Sequence, residues 1–239
     1  MVRVGVLGAQ GRMGKQVVHL IQTEFSSLCT LDAKPTRNES LEPLLSSEVV
    51  IDFSGPEALL ALTQLALSNH TSLPGFIVGS TGLDAQGTEI LKKLSEKTLV
   101  LKASNFSVGI FLVRKILEQY SPLLKKAGYT PTLLDIHHQH KKDAPSGTAL
   151  SLQKAINPVH PDQVQTQCFR VGEVFGDHDV TFYGKDDAIK IAHTAQNRTL
   201  WARGAIQTAL WLAEQKKSSK KITGILSMDH YFDALVKEN

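Results

Sequence analysis

Two stretches of this chain concentrate groups that can do chemistry. The first runs Asp135-Ile136-His137-His138-Gln139-His140-Lys141-Lys142-Asp143-Ala144-Pro145-Ser146-Gly147-Thr148. An imidazole titrating near neutrality can deliver a proton, and an ammonium beside it can hold an anion. Read as a strand from Thr132 to His140, the alternation puts His137, Gln139 and Lys141 on one side and His138 with His140 on the other. Ser146, Gly147 and Thr148 follow Pro145 at the start of a helix, where unpaired N–H groups and hydroxyls cradle negative charge. Two anion sites adjacent in sequence imply a small ligand with more than one carboxylate. Two blander readings compete. Three histidines in four residues can bind zinc, but no cysteine and no H-E-x-x-H helix supports a closed site, so the expectation is no metal. A solvated polar strand end explains one histidine well and the rigid turn after it poorly.

The second stretch is Gly8-Ala9-Gln10-Gly11-Arg12-Met13-Gly14. Between a strand and a helix, one glycine permits the tight bend, one lets backbone N–H groups approach a pyrophosphate, and one lets helix and strand pack closely. The spacing is G-x-x-G-x-x-G, less specific than G-x-G-x-x-G, and a glycine-rich turn without a ligand is the competing reading. Arg12 inside the turn favours phosphate. Downstream, Asp32 stands where an acidic residue would accept hydrogen bonds from the adenosine ribose of NAD, or is simply a strand-end turn residue. Lys34, two residues on, would instead neutralise the 2′-phosphate of NADP. The two point to different cofactors, NADH or NADPH, and the choice stays open.

The elements that must position these groups fall into two rhythms. Residues 2–7, 28–32, 49–53, 76–78 and 98–102 read as short apolar strands, with helices expected from Arg12, from Pro56 to about Asn69, and from Ala85 to Glu96. Strand and helix alternating in this way imply a Rossmann-like, doubly wound parallel sheet. After about Phe106 the pattern changes. A long amphipathic segment runs from Val108 to Lys126 and ends at Gly128, a helix C-terminal signal. Strands then follow with few intervening helices, at 132–140, 164–171, 179–183 and 189–195, with one helix from near Ser146. The expected fold is α/β in two domains. The first, 1–106, is dinucleotide-binding and is completed by the C-terminal segment 203–239. The second, 107–202, is an α+β domain with a mostly antiparallel sheet that binds substrate.

Composition bounds the partners. A chain of 239 residues with 42% hydrophobic and 21% charged residues is ordinary globular usage. A net charge of +3 with scattered basic residues argues against a nucleic-acid partner, and the run Lys216, Lys217, Lys220, Lys221 reads as a solvated helix end. Two cysteines, Cys29 and Cys168, make no disulfide framework, and reduced thiols in the cytoplasm are expected. The apolar run at residues 2–7 is too short for a signal peptide, and no stretch is long enough to span a membrane.

At this point the chain resembles the 4-hydroxy-tetrahydrodipicolinate (dihydrodipicolinate) reductase family of lysine and diaminopimelate biosynthesis. The matching residues are Gly8 to Gly14, Asp52-Phe53-Ser54 before Pro56-Glu57, Gly79-Ser80-Thr81-Gly82, Asn105-Phe106-Ser107-Val108-Gly109, the stretch from His137 to Thr148, Arg170-x-Gly172 with Gly176-x-His178, and Arg198 before Gly204-Ala205. The resemblance implies hydride transfer from NADH or NADPH to the unsaturated ring formed when 4-hydroxy-tetrahydrodipicolinate loses water. It implies that His137 is the proton donor, that Lys141 and His138 attend the substrate, and that Ser146, Gly147 and Thr148 grip a carboxylate. The cofactor would meet Gly8, Ala9, Gln10, Gly11, Arg12, Met13, Gly14, Asp32, Lys34, Gly79, Ser80, Thr81, Ser104, Asn105 and Phe106. A homotetramer built through the second domain's sheet is also implied. Departures are Asp135, where the family usually has Glu, Ser80, where Thr is common, and a short segment from Lys34 to Ser47. Semialdehyde or sugar dehydrogenases of similar two-domain plan are the enzymatic alternative. A nucleotide-sensing regulator that retains the fold is the non-enzymatic one, and it would not need His137, Lys141 and the Ser146 turn together.

Overall fold

The computed structural model describes residues 1–69, 72–160, 164–218 and 224–237. The chain divides into two compact units, one formed by Met1–Phe106 with Trp201–Asn239 and the other by Ser107–Leu200.

The first unit is a six-stranded parallel sheet. Its strands are β1 (Val2–Leu7), β2 (Cys29–Ala33), β3 (Val49–Asp52), β4 (Gly75–Val78), β5 (Val100–Lys102) and, late in the chain, a two-residue strand at Ile225–Leu226. The order across the sheet is the late strand, β5, β4, β3, β1, β2, every neighbouring pair parallel. All residues of β3 and β4 are buried, which is why both read as unbroken apolar runs. Helices α1 (Arg12–Gln22), α2 (Pro56–Asn69) and α3 (Ala85–Lys97) make the crossovers. Asp84 caps α3 by accepting a hydrogen bond from the Gly87 amide at 2.7 Å. Leu59, Leu62 and Ala66 of α2 and Leu91 and Leu94 of α3 pack with Val50, Phe76, Val78 and Val100 of the sheet in one core. The strand at Ile225–Leu226 was not expected from the sequence. Two residues carry no periodicity, and it exists because β5 offers an edge to pair with.

In the second unit, α4 (Val108–Lys126) and α5 (Gly147–Ile156) cover one face of a four-stranded sheet made of β6 (Thr130–His137), β7 (Gln165–Arg170), β8 (Asp177–Tyr183) and β9 (Ala188–Thr194). The order is β7-β6-β8-β9, with β6–β7 parallel and the other two pairings antiparallel. Ile110, Val113 and Leu117 of α4 and Leu152 and Ile156 of α5 bury Leu133, Val180 and Phe182.

One sequence expectation needs correction here. Strand β6 stops at His137 and does not run to His140. Residues 138–141 form a turn in which the Lys141 amide donates to the His138 carbonyl at 3.1 Å. The strand ends because its neighbour turns away. Val171 donates to the His137 carbonyl at 2.8 Å, and Gln139 donates instead to Gly172, a positive-φ glycine beyond the end of β7. In the lysine run, Lys216 and Lys217 are exposed in the last turn of their helix, as expected. Lys216 donates to the Leu73 carbonyl and Lys217 pairs with Glu48 at 2.9 Å, while Lys220 and Lys221 lie outside the described residues.

Helix α6 (Thr199–Lys217) carries the chain from the second unit into the first. There Gly204 lies so close to Phe106 that a Cβ would sit 1.8 Å from the Phe106 carbonyl oxygen. Among the described residues no helix is long and apolar enough to cross a membrane.

Candidate active site

In the first unit the glycine turn is shaped by backbone contact. Gly8 has φ +84°, and a Cβ on it would lie 2.7 Å from the backbone of Ser54. A Cβ on Gly14 would lie 2.1 Å from the Gly8 carbonyl oxygen. Both positions therefore require glycine, for the bend and for the close approach of helix to strand. Gly11 stands at the head of α1 with no side-chain cap on the helix. The positive end of α1 thus opens on the turn, with Arg12 exposed beside it. This cradle, with no Cβ to fill it, fits a pyrophosphate.

A cavity of about 220 Å³ adjoins the turn, lined by Ala9, Gln10, Lys15, Val18, His19, Gln22 and Lys34. Lys34 therefore faces the cradle. Asp32 is exposed and accepts a hydrogen bond from Ser47 Oγ at 2.9 Å. Lys15 and His19 were not singled out from the sequence, although their spacing along α1 is the helical i, i+4 step that puts two side chains on one face.

The other glycine-bearing strand end is as tight. Asp52, wholly buried, accepts from the Ser54 amide at 2.9 Å and from its hydroxyl at 2.5 Å, and burial pushes its carboxyl upward in spite of these bonds. Phe53 meets Phe106 edge to face at 5.7 Å, and a Cβ on Gly79 would strike the Phe53 ring at 2.3 Å. Ser80 is buried, whereas Thr81 and Ser104 are exposed and Asn105 is half-buried.

In the second unit, strand pairing assembles a charged network on the inner face of the sheet. Asp135 and His137, two apart on β6, share the buried face. The antiparallel register sets His178 of β8 opposite Asp135, and the parallel register sets Arg170 of β7 opposite His137. Asp135 is fully buried. Its Oδ1 lies 3.0 Å from His137 Nδ1 and 3.3 Å from His178 Nε2. Its Oδ2 accepts from Arg170 Nη2 at 3.0 Å and from the Ser146 amide at 2.9 Å. Burial alone would raise this carboxyl. The contacts from His137, His178 and Ser146 outweigh burial and hold it well below the usual carboxylate range.

Arg170 is locked further by the Asp135 and Asp143 carbonyls, at 3.2 and 2.6 Å. The His137 and His178 rings meet edge to face at 5.1 Å. A Cβ on Gly176 would lie 2.9 Å from His137 Nε2, so this glycine leaves room at the nitrogen that Asp135 does not use.

Ser146 caps α5, its Oγ accepting from the Ala149 amide at 3.1 Å and lying 3.2 Å from His178 Nε2. Its hydroxyl and its amide are therefore both turned inward. The exposed Gly147 and half-buried Thr148 form the outward side of the first turn. Lys141 pairs with Asp143 at 2.8 Å in the loop before it, and the His138 and His140 rings lie 6.3 Å apart. The ligand atoms of Asp135, His137 and His178 fall within 4.8 Å of one another, a spacing a metal would accept. Arg170 and the Ser146 amide already neutralise and bond Oδ2 of that carboxylate, while Oδ1 lies within ion-pair reach of both imidazoles.

The parallel sheet with its glycine cradle and the carboxylate-supported imidazole of the second unit define a two-domain oxidoreductase that uses a pyridine nucleotide. Residues 2–106 match the family "Dihydrodipicolinate reductase, N-terminus" and residues 109–231 match "Dihydrodipicolinate reductase, C-terminus". The chain belongs to the dihydrodipicolinate reductase family. The 4-hydroxy-tetrahydrodipicolinate reductase of Sulfurimonas denitrificans is 34% identical over 260 positions, covering 95% of this chain and all of that protein. The reductase of the same name from Bdellovibrio bacteriovorus is 33% identical over 231 positions, covering 94% of this chain and 96% of its own.

Among solved structures, a dipicolinate-bound dihydrodipicolinate reductase from Paenisporosarcina sp. TG-14 superposes with a TM-score of 0.73 at 21% identity. It covers 95% of this chain and 97% of that one. A scyllo-inositol dehydrogenase from Lactobacillus casei shares the fold at a TM-score of 0.58 and 12% identity, covering 94% and 90%. The two-domain plan is thus common to other dehydrogenases, and the side chains of the site carry the distinction.

Proposed function

We propose that this chain reduces 4-hydroxy-tetrahydrodipicolinate, by way of dihydrodipicolinate, to tetrahydrodipicolinate with NADH or NADPH, in lysine and diaminopimelate biosynthesis in the cytoplasm. The observation that carries the reading is the pairing of a carboxylate-supported His137 with the capped turn at Ser146, a proton donor next to an anion cradle. The substrate is a small ring with two carboxylates, and the second unit offers Lys141, His138 and the first turn of α5 to hold them. Ser146 shapes that turn through its inward bonds, with Gly147 and Thr148 meeting the anion.

The reduced nicotinamide, when bound, supplies the hydride. The ring accepts it at an unsaturated carbon, and the electron pair displaced onto the ring then takes up a proton. His137 supplies that proton from Nε2, and solvent restores it. The resemblance assigns the dinucleotide to Gly8 through Gly14, Asp32, Lys34, Gly79, Ser80, Thr81, Ser104, Asn105 and Phe106, and the cradle at Gly8 and Gly14 supports this. The cavity with Lys15, His19 and Lys34 supports use of the 2′-phosphate of NADPH, while Asp32 at the strand end supports NADH, so relaxed cofactor use follows. A homotetramer through the outer face of the second unit's sheet is in keeping with the exposed Phe169, Val171 and Tyr183 on or beside β7 and β8.

The test is oxidation of NADH and of NADPH by the purified protein with freshly generated 4-hydroxy-tetrahydrodipicolinate. Substrate-dependent oxidation with both, at kcat/KM values within about a hundredfold or roughly 2.7 kcal/mol, is expected. No oxidation with either would refute the assignment and return the regulator reading.

A further inference from the structure

We infer that Asp135 is a positioning residue for the proton transfer, one buried carboxylate that sets both the orientation of His137 and the turn opening α5. The inference rests on the reaction proposed above and extends it to a residue that touches neither substrate nor cofactor.

The geometry divides the carboxylate into two halves. Oδ1 faces two imidazoles, His137 Nδ1 at 3.0 Å and His178 Nε2 at 3.3 Å. Oδ2 faces two fixed donors, Arg170 Nη2 at 3.0 Å and the Ser146 amide at 2.9 Å. Oδ1 and His137 Nδ1 lie within ion-pair reach without a formed hydrogen bond; a carboxylate oxygen can only accept, so the tautomer this approach favours carries its hydrogen on Nδ1. The proton that comes and goes is therefore on Nε2, the nitrogen for which Gly176 leaves room. The same carboxylate fastens the amide of the residue that caps α5. The donor and the anion cradle thus share one anchor, and a shift of Asp135 would move both.

The groups that face His137 are Asp135 on its own strand, Arg170 on β7 and His178 on β8, with His193 on β9 beyond His178. The loop before α5 turns the Ser146 amide and hydroxyl toward the network, and its Lys141 and Asp143 pair with each other. With Arg170 balancing the carboxylate, Asp135 presents to the His137 ring an anion already desolvated and held in place.

The experiment compares kcat and KM across pH for the full-length wild type, Asp135→Asn and Asp135→Glu, alongside the histidine tautomer of the wild type by side-chain 15N NMR. An amide at 135 cannot accept from both imidazoles and from both fixed donors. Asp135→Asn is therefore expected to lower kcat about 10²-fold, the low end for losing a positioned acid. With the anion gone the imidazolium is less stable, so the fall of kcat on the alkaline side is expected to begin at lower pH. Asp135→Glu, which restores the charge, is expected to return kcat to within about tenfold of wild type and to move the alkaline limb back.

Above its titration, His137 in the wild type is expected as the Nδ1–H tautomer. That measurement decides the point even if Asp135→Asn fails to fold. An Nε2–H tautomer would overturn the inference, as would an Asp135→Asn enzyme with an unchanged pH profile. An inactive wild type would sink the proposed function instead, leaving the tautomer to judge this inference separately.

Discussion

The two chemical regions of this molecule are built from opposite materials. The cradle of the first unit is made by the absence of side chains, since Gly8 and Gly14 admit backbone where a single Cβ would collide. It lies within seven consecutive residues and needs only a strand before and a helix after. The network of the second unit is made of charged side chains drawn from three strands and a helix cap, Asp135 and His137, Arg170, His178 and Ser146. A backbone cradle binds any ligand with the right charge and shape. A buried ionic network fixes which atom receives a proton, at the cost of desolvating charges that must all stay paired.

That contrast can be broken at several points. The largest effect is expected at His137. Replacing it with Gln keeps size and a hydrogen bond but removes the acid, so kcat should fall by about 10²- to 10⁴-fold while the KM for substrate changes less. Steady-state kinetics with wild-type-like parameters would make the network structural only. Lys141→Ala should lower kcat/KM by about 10²-fold through both parameters, because the lost charge binds a carboxylate in the ground state as well as in the transition state. A change confined to kcat would assign it a different role.

Gly14→Ala probes the cradle. Its new methyl must displace the Gly8 carbonyl, and the KM for either dinucleotide should rise by about tenfold or more, or roughly 1.4 kcal/mol, with substrate KM little affected. Unchanged dinucleotide KM values would show that the turn does not carry the phosphates.

Smaller effects sharpen the electrostatic half of the comparison. Asp135 is held below the usual carboxylate range, so its ionised form adds stability above the unfolded value near pH ~4, and that stability is lost as pH falls through the lower folded value. Denaturant midpoints of wild type and Asp135→Asn should accordingly differ most near neutrality and converge on acidification below about pH 4. A gap independent of pH would point to packing rather than charge. The smallest effect is expected from a chelator. Prolonged treatment should leave activity unchanged, since Arg170 and the Ser146 amide already neutralise the carboxylate through Oδ2, and loss of activity restored by a divalent ion would recast Asp135, His137 and His178 as ligands.

Local features were legible in the sequence where the physics is local. The glycine spacing, the buried runs of β3 and β4, the cap at Ser146 and the doubly wound order all depend on neighbours in the chain, and their residues could be named in advance. The alternation read for this strand holds as far as His137. It failed just beyond, at residues 138–141, because the end of β6 is set by where β7 stops pairing, and the two strands lie about thirty residues apart in the chain. The partners of Asp135 were hidden for the same reason. Arg170 and His178 reach it only through strand register, and no pattern within either strand reports which residue will stand opposite. The sequence by itself thus determined which kinds of groups the site contains. Tertiary structure decided which of them meet, because a carboxylate that must be buried can be satisfied only by donors that folding brings from other strands.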